Sequence, residues 1–183
     1  NQEGLITNYV EIKQDITEEK FLQERLQKQN DYLSILHQTT LDLLNRRDIN
    51  DLLQAVVDRS SFLLDAPFSE LMLVDGDALV VQAITNNQHS IKGERVTREQ
   101  AKLSWQAFDS KQPVILEDYS TWPERRAVYK EYAIHAVADF PILAGERCLG
   151  VLAMGRSQPN YPYTVEQIET GIQFARLAAL VLD

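Results

Sequence analysis

The sequence predicts an α+β fold in which helices cover a central antiparallel sheet, with a long helix of coiled-coil type before it. Two observations lead to this prediction. Apolar runs of strand length are joined by short polar turns, as in antiparallel hairpins. Longer segments repeat apolar residues at spacings of three and four, as amphipathic helices do. After the long helix, the order is helix, two strands, helix, strand, loop, hairpin and helix, which favours one sheet with helices packed on it.

The first predicted element is a strand within residues 5–16. Its apolar residues alternate with polar ones and share one face: Ile6, Val10, Ile12 and Ile16. The segment GLITNYVEIKQDITEEK resembles the last strand and exit of a PAS domain. This resemblance implies that residues 1–17 are the terminal strand of an upstream PAS domain. A local hairpin or a frayed arm is the alternative.

Residues 18–47 change to a heptad pattern and are predicted to form a signalling helix. Apolar residues dominate the repeating core positions, with Gln29 and Thr40 as polar exceptions. Helices with this repeat pack their core positions against each other, which predicts a coiled-coil dimer. The predicted dimer contacts in this helix are Leu22, Leu26, Leu33, Leu36 and Leu43. The alternative is a single amphipathic helix that lies on its own domain.

The remaining residues, 48–183, are predicted to form one globular domain that begins with a helix. Asp48 fits an N-cap, and a broad apolar stripe follows it up to Leu64. Pro67 cannot continue the helical hydrogen bonds, so the helix ends before it. Two strands, Phe68–Asp75 and Ala78–Ile84, are then joined by a tight turn that contains Gly76.

Two capping boxes predict the starts of the next helices. The first, Thr97 to Gln100, predicts a helix that carries Trp105 and Phe108 on one face and stops near Pro113. The second, Thr164 to Gln167, predicts the closing helix. Apolar residues recur at spacings of four and three along the closing helix, which predicts a second set of dimer contacts. These contacts are Ile168, Ile172, Ala175, Ala179 and Leu182.

The predicted hairpin pairs the apolar runs Ala136–Leu143 and Cys148–Met154 through the turn Ala144–Arg147. Both faces of both runs are mostly apolar, so we expect this hairpin near the centre of a sheet that is covered on both sides. Pro141 has no N–H to donate to a neighbouring strand. Its presence predicts a bulge or an edge stretch at that position.

The hairpin and the closing helix carry a family resemblance. DFPILAGERCLGVLAMGR followed by YTVEQIETGIQFARLAALVLD is similar to the C-terminal half of a GAF domain, and the similarity extends roughly from Asp48 to Asp183. GAF domains are small sensory and dimerisation modules of signalling proteins. The resemblance implies a GAF-like antiparallel sheet, and a ligand pocket between that sheet and the helix and loop before the hairpin.

The pocket segment supplies aromatic side chains and a few polar groups, the combination that a small-molecule site needs. The predicted ligand-binding residues are Trp105, Phe108, Asp118, Tyr119, Trp122, Tyr132 and His135. The alternative is that these side chains only pack the core and its cover.

Several cofactors and reactions fit the sequence poorly. Bilin-binding relatives attach the chromophore through a pocket cysteine, but the sequence has none between Asp118 and Ala136, so we expect no covalent bilin. The Asn-Lys-Phe-Asp-Glu signature of cyclic-nucleotide-binding relatives is absent. Haem is disfavoured, because only His89 and His135 could serve as an axial ligand within the domain. The single cysteine, Cys148, lacks a resolving thiol for methionine sulfoxide reduction. We expect no metal site and no catalysis, and the cofactor stays unknown.

Charge and composition narrow the partners. The 183 residues carry a net charge of −9, which disfavours a nucleic-acid partner. One cysteine cannot form an internal disulfide, and no apolar run approaches the ~20 residues of a membrane span. We therefore expect a cytoplasmic location without direct membrane contact. The chain lacks an initial Met and stops within an apolar helix, so we expect a longer parent protein, with a membrane anchor left open.

These inferences lead to one functional hypothesis. The chain is expected to be the regulatory sensor and dimerisation module of a bacterial signal-transduction protein, with a sensor histidine kinase as the effector. It would form a homodimer through its N- and C-terminal helices and take a small-molecule ligand. The alternatives are a GAF module of a protein that makes or degrades cyclic-di-GMP, and a signal relay without a ligand.

Overall fold

The computed structural model describes Arg25, Leu26, Gln29 and residues 48–85, 91–126, 129 and 132–182. The predicted PAS strand, 1–17, lies outside these residues. So do the heptad leucines of the predicted signalling helix, except for Leu26, which is helical and 59% exposed. The coiled coil therefore stays a prediction.

In the described part of residues 48–182, three helices and six strands follow one another. The helices are α1 (Ile49–Leu63), α2 (Lys102–Ser110) and α3 (Val165–Leu182). The strands are β1 (Phe68–Asp75), β2 (Ala78–Ile84), β3 (Arg95–Val96), β4 (Val114–Leu116), β5 (Ala136–Ala144) and β6 (Arg147–Arg156). They form one antiparallel sheet in the order β3-β2-β1-β6-β5-β4, which confirms the predicted α+β fold. None of the described helices is long and apolar enough to cross a membrane.

Apolar cores lie on both faces of the sheet. On one face, Phe140 and Leu152 pack with residues of α1 and α3, including Phe174. On the other face, Val151 packs with residues that include Trp105 of α2. Successive residues of a strand point to opposite faces, so apolar residues at consecutive positions require cover on both sides. The central, doubly covered hairpin predicted from the sequence is confirmed.

The hairpin turn is tighter than the sequence predicted. Ala144 pairs with Arg147, which leaves only Gly145 and Glu146 in the turn. Gly145 has a φ of 58°, a conformation that glycine adopts without a Cβ clash. Pro141 is paired with β6, but β4 pairs only as far as Asp139, so Pro141 lies at an edge stretch with a bulge after Ile142. The missing N–H of Pro141 predicted a bulge or an edge stretch, and the structure has both next to this residue.

Two of the three predicted helix starts are confirmed. Asp48 accepts a hydrogen bond from the Asn50 N–H at 2.9 Å as the N-cap of α1. Thr164 and Gln167 make both bonds of a capping box, at 3.0 and 3.3 Å. The prediction of a helix from Thr97 is wrong: the Gln100 side chain does reach the Thr97 N–H, but Ala101 has a non-helical backbone and α2 begins after it.

Candidate functional site

A row of three residues crosses the middle of the sheet on the face that α2 covers. Glu70 of β1 pairs with Ala153 of β6, and Ala153 pairs in turn with Asp139 of β5. Neighbouring strands are about 4.8 Å apart, so the backbones of the two acidic residues lie roughly 10 Å apart. Only the methyl group of Ala153 lies between them. The register therefore creates a gap in the core with a carboxylate on each side.

A cavity fills this gap between the sheet, α2 and the loop 118–126. Its volume is about 40 Å³, measured to the centres of water-sized spheres. One water molecule needs roughly 10–15 Å³ on that measure, so the cavity holds a few waters or a small ligand. Most of its wall is apolar or aromatic. Leu103, Trp122, Tyr129, Ile134 and Val137 contribute to this wall.

Asp139 is buried beside the cavity, with 2% of its surface exposed. Its Oδ2 accepts a hydrogen bond from the Ser104 hydroxyl of α2 at 2.7 Å. Its Oδ1 is also buried and has no hydrogen-bond partner among the described residues. Burial raises the pKa of Asp139 to about 7, and the nearby charge of Glu70 adds to this, while the Ser104 bond opposes it. Asp139 therefore changes its charge near neutral pH.

Glu70 is the second buried carboxylate of the cavity. Its Oε1 accepts a bond from Nη1 of Arg126 at 2.8 Å, and both side chains are less than a tenth exposed. Its Oε2 has no hydrogen-bond partner in the described part of the chain. Arg126 also binds Oε2 of Glu94 at 3.1 Å, and its guanidinium lies 4.8 Å from the centre of the Tyr129 ring. The guanidinium is thus shared between two carboxylates.

The charges around the cavity leave it short of positive charge. Lys102 of α2 and Glu124 of the loop form an ion pair near its opening, with both side chains about half exposed. Deeper inside, Glu70 and Asp139 face the single guanidinium of Arg126. Burial lowers the pKa of Arg126, but Glu70, Tyr129 and Glu94 outweigh this and raise it. Arg126 therefore stays charged and engaged. Both unpartnered oxygens can accept a hydrogen bond, and the Tyr129 hydroxyl lies beside Glu70, where burial and the charge of Glu70 raise the pKa of this tyrosine.

The predicted ligand-binding residues fall into separate places. Tyr119 and Trp122 line the cavity. Trp105 and Phe108 do not: the Trp105 indole donates to the Val96 carbonyl at 3.4 Å, and its ring meets Phe108 edge-on, with centroids 5.1 Å apart. These two side chains pack α2 onto the sheet.

The other three predicted residues lie outside the cavity lining. Asp118 and His135 line a second concavity. Asp118 accepts a bond from the Ser120 N–H at 3.1 Å and holds the loop. Tyr132 packs on Phe68, with ring centroids 5.4 Å apart, and Phe68 itself lines the cavity. Two of the seven residues, Tyr119 and Trp122, line the cavity, and a ligand contact of any of the seven stays a prediction.

Sequence reasoning missed the polar residues of the cavity. Asp139 interrupts an otherwise apolar run in β5, and in β1 Glu70 follows Ser69 directly before the apolar run Leu71–Val74. A charged residue in a doubly covered strand must find a buried partner, so this interruption was a usable signal. Arg126 gave no such signal, because it lies in a loop whose path the sequence does not determine.

The predicted dimer contacts of α3 are used largely within the domain. Ala175 and Ala179 are 2% and 4% exposed and belong to the core under the sheet. Ile168, Ile172 and Leu182 are partly buried and pack against the same core. The apolar side chains that α3 exposes are Val165 and Leu180, at 73% and 78%. The spacing of four and three identified an apolar face of α3, but this face already packs against the core of its own domain.

Cys148 does not line the cavity. It is buried near the start of β6, where its thiol contacts the Gly150 carbonyl at 3.3 Å. Burial raises the pKa of this thiol, so little of it is the nucleophilic thiolate at neutral pH. Cysteine chemistry at the cavity has no support in this geometry.

Comparison with known proteins identifies the fold. The family model described as GAF domain matches residues 46–183. The GAF domain of a phosphoenolpyruvate-protein phosphotransferase from Coxiella burnetii is 21% identical, with a TM-score of 0.72 over 82% of this chain and 91% of that chain. The corresponding domain from Acinetobacter is 15% identical, with a TM-score of 0.73 over 84% and 93%.

A third solved structure is the free methionine-R-sulfoxide reductase of Neisseria meningitidis in complex with its substrate. It is 16% identical, with a TM-score of 0.64 over 82% of this chain and 87% of that chain. Comparison with curated proteins gave no match. At these identities the structures show a shared fold alone, whereas the family model covers most of the sequence. The chain belongs to the GAF domain family.

Proposed function

We propose that this GAF domain is the regulatory sensor module of a bacterial signal-transduction protein and binds a small molecule in the cavity above Ala153. The supporting observation is the pair of buried oxygens without partners, Oε2 of Glu70 and Oδ1 of Asp139. Buried polar atoms are nearly always hydrogen-bonded, and an unmade bond costs about 1–3 kcal/mol. A ligand that supplies both bonds would recover this energy.

The sheet offers a route from the cavity to α3. Asp139 faces the cavity, and the next residue, Phe140, points to the opposite face. There its ring lies so close to Gly171 of α3 that a Cβ on this glycine would come within 2.2 Å of the ring. A shift of β5 on ligand binding would therefore be passed directly to α3. Signalling further requires that the ligand bind two arrangements of the domain with different affinity.

The proposed context follows the sequence patterns outside the described residues. Residues 1–17 would end an upstream PAS domain, and residues 18–47 would form the signalling helix that links it to the GAF domain. The proposed effector is a histidine kinase in the bacterial cytoplasm, with a cyclic-di-GMP enzyme as the alternative. We infer a regulatory role without catalysis, because the only thiol is buried away from the cavity.

Native mass spectrometry of protein purified gently from its own host tests the sensor proposal. The expected result is a reproducible added mass on the wild-type protein. Ala153→Leu should lose this mass, because the larger side chain fills the gap between the two carboxylates. Glu146→Gln, which changes an exposed carboxylate in the hairpin turn outside the cavity, should keep it. A wild-type protein without added mass would contradict the ligand proposal, and thermal unfolding shows whether Ala153→Leu is folded.

A second candidate function, dimerisation without a ligand, has an observation of its own. α1 and α3 expose large apolar side chains that the domain core leaves uncovered. Ile49 and Phe62 of α1 are 50% and 81% exposed, alongside Val165 and Leu180 of α3. Exposed apolar residues on paired helices favour a partner helix. In this alternative, the domain would hold a homodimer and relay helix movements.

A further inference from the structure

We infer that the cavity binds a small primary amine in its protonated form, with the ammonium group at the free oxygens of Glu70 and Asp139. This inference rests on the proposed function, since it names the class of ligand for the same site. It follows from the hydrogen-bonding capacity, the charge and the dimensions of the cavity.

The unpartnered oxygens in the cavity favour a ligand that donates hydrogen bonds. Glu70 uses Oε1 for Arg126, and Asp139 uses Oδ2 for Ser104. The remaining oxygen of each carboxylate is buried and unpartnered, and an ionised carboxylate only accepts hydrogen bonds. An ammonium group has three N–H donors and no acceptor. It can therefore serve both oxygens without leaving a buried acceptor of its own.

The excess of negative charge in the cavity favours a positively charged ligand. Lys102 and Glu124 neutralise each other near the opening, so the interior contains two carboxyl groups and one guanidinium. That guanidinium is shared with a third carboxylate, Glu94. An anionic ligand would meet the carboxylates of Glu70 and Asp139 and would find Arg126 already engaged. One added positive charge would balance the interior, and bonds to charged groups are the stronger kind.

The dimensions and the wall limit the rest of the ligand. A volume of about 40 Å³ to the centres of water-sized spheres admits only a small molecule. Leu103, Ile134 and Val137 offer apolar surface for a short carbon chain. Trp122 and Tyr129 add aromatic rings, which attract a cation as well as apolar groups. An amine with a short apolar body fits all of these features.

The test uses three probes of matched size: n-propylammonium chloride, 1-propanol and sodium propionate. The full chain, labelled with ¹⁵N, is titrated with each probe at pH 8 and constant ionic strength, and the amide shifts of Ser104, Asp139 and Ala153 are followed. We expect saturable shifts with propylammonium and much smaller ones with the alcohol and the carboxylate. Asp139→Asn and Glu70→Gln should each weaken propylammonium binding by about tenfold or more. Glu146→Gln, at an exposed carboxylate in the hairpin turn away from the cavity, should bind as the wild type does.

The outcomes separate the ligand class from the sensor proposal. If propanol or propionate binds at these amides as well as propylammonium does, the amine class is wrong, while the cavity still stands as a ligand site. If none of the probes shifts these amides, the inference is overturned, and native mass spectrometry decides the sensor proposal independently. Undiminished binding by a folded Asp139→Asn variant would also overturn it, because the charge of Asp139 would then play no part.

Discussion

Asp139 shows how one residue links folding to the proposed site. β5 is covered on both faces, so its side chain cannot reach bulk water, and one hydrogen bond from Ser104 satisfies only half of the carboxylate. The charged or titratable groups around it include Glu70, Arg126, Tyr119 and Tyr163, and Glu70 repels its negative form. An apolar residue at this position would pack without these costs. The proposed ligand would supply the hydrogen bond that the second oxygen lacks.

Asp139→Asn should stabilise the ligand-free protein at pH 8 and much less at pH 4. The folded pKa of about 7 lies above the unfolded value near 4, so ionisation of Asp139 destabilises the fold increasingly between pH 4 and 7. The asparagine keeps an oxygen for Ser104 and carries no charge. The expected gain in unfolding free energy approaches about 4 kcal/mol above pH 7. Urea unfolding across this pH range measures it.

Asp118→Asn provides a control of opposite sign. The hydrogen bonds from Ser120 and Thr121 lower the pKa of the exposed Asp118, so its ionised form stabilises the loop above pH 4. Its replacement should therefore lower stability at neutral pH and change nothing at low pH. A gain for Asp139→Asn that does not vary with pH would show that the charge of Asp139 is not the cause.

At the scale of elements, Arg156 ties the end of α1 to the end of β6. Its buried guanidinium donates to the carbonyls of Leu64, at 2.5 and 3.0 Å, and Pro162, at 2.9 Å. It also lies over the rings of Tyr161 and Tyr163. Carbonyl groups at a helix end lack partners within the helix, and Arg156 satisfies one of them at the end of α1. This junction lies just before α3 in the chain.

Arg156→Met should destabilise the domain by about 2–4 kcal/mol, because it keeps the apolar volume but leaves buried carbonyls without donors. Urea unfolding measures the loss. Arg147→Met is the matched control, since Arg147 is exposed in the hairpin, and it should change stability by no more than about 0.5 kcal/mol. Equal effects of the two substitutions would contradict the role given to Arg156.

Close packing between β5 and α3 gives a second prediction at this scale. Gly171→Ala places a Cβ where the Phe140 ring now lies, so the helix or the ring must shift. We expect a loss of about 1–3 kcal/mol in unfolding free energy despite the better helix propensity of alanine. Gln173→Ala, at an exposed position of the same helix, should be neutral or slightly stabilising. A stabilised Gly171→Ala variant would show that α3 does not contact β5 as closely as described.

The elements also show what the sequence could predict. Asp48 and the Thr164 box cap helices through local bonds, and β1 and β2 have clear bounds, so local patterns were sufficient for them. The Thr97 box failed because Ala101 turns the chain before α2 starts. The cavity depends on the register that places Glu70, Ala153 and Asp139 in one row. That register joins three strands far apart in sequence, and no local pattern contains it.

At the scale of the whole molecule, the sheet separates the two proposed functions. The face under α2 contains the cavity, and the face under α1 and α3 contains the helices that we expect to meet a partner. Both faces share the same strands, and neighbouring residues such as Asp139 and Phe140 point to opposite faces. We therefore expect a change at one face to reach the other. This arrangement connects the sensor and dimer proposals in one domain.

Leu180→Glu tests the partner surface directly. Leu180 is 78% exposed on α3, so the charge costs the isolated domain little, but it would have to be buried in a helix-to-helix interface. We expect the homodimer to dissociate at concentrations where the wild type is dimeric, as measured by light scattering, with an unchanged melting temperature for the monomer. Gln173→Glu is the control, at an exposed polar position of the same helix.

The predicted heptad at residues 18–47 could hold a dimer by itself. An intact Leu180→Glu dimer would therefore assign dimerisation to that heptad. Adding Leu33→Lys and Leu36→Lys should then dissociate the dimer.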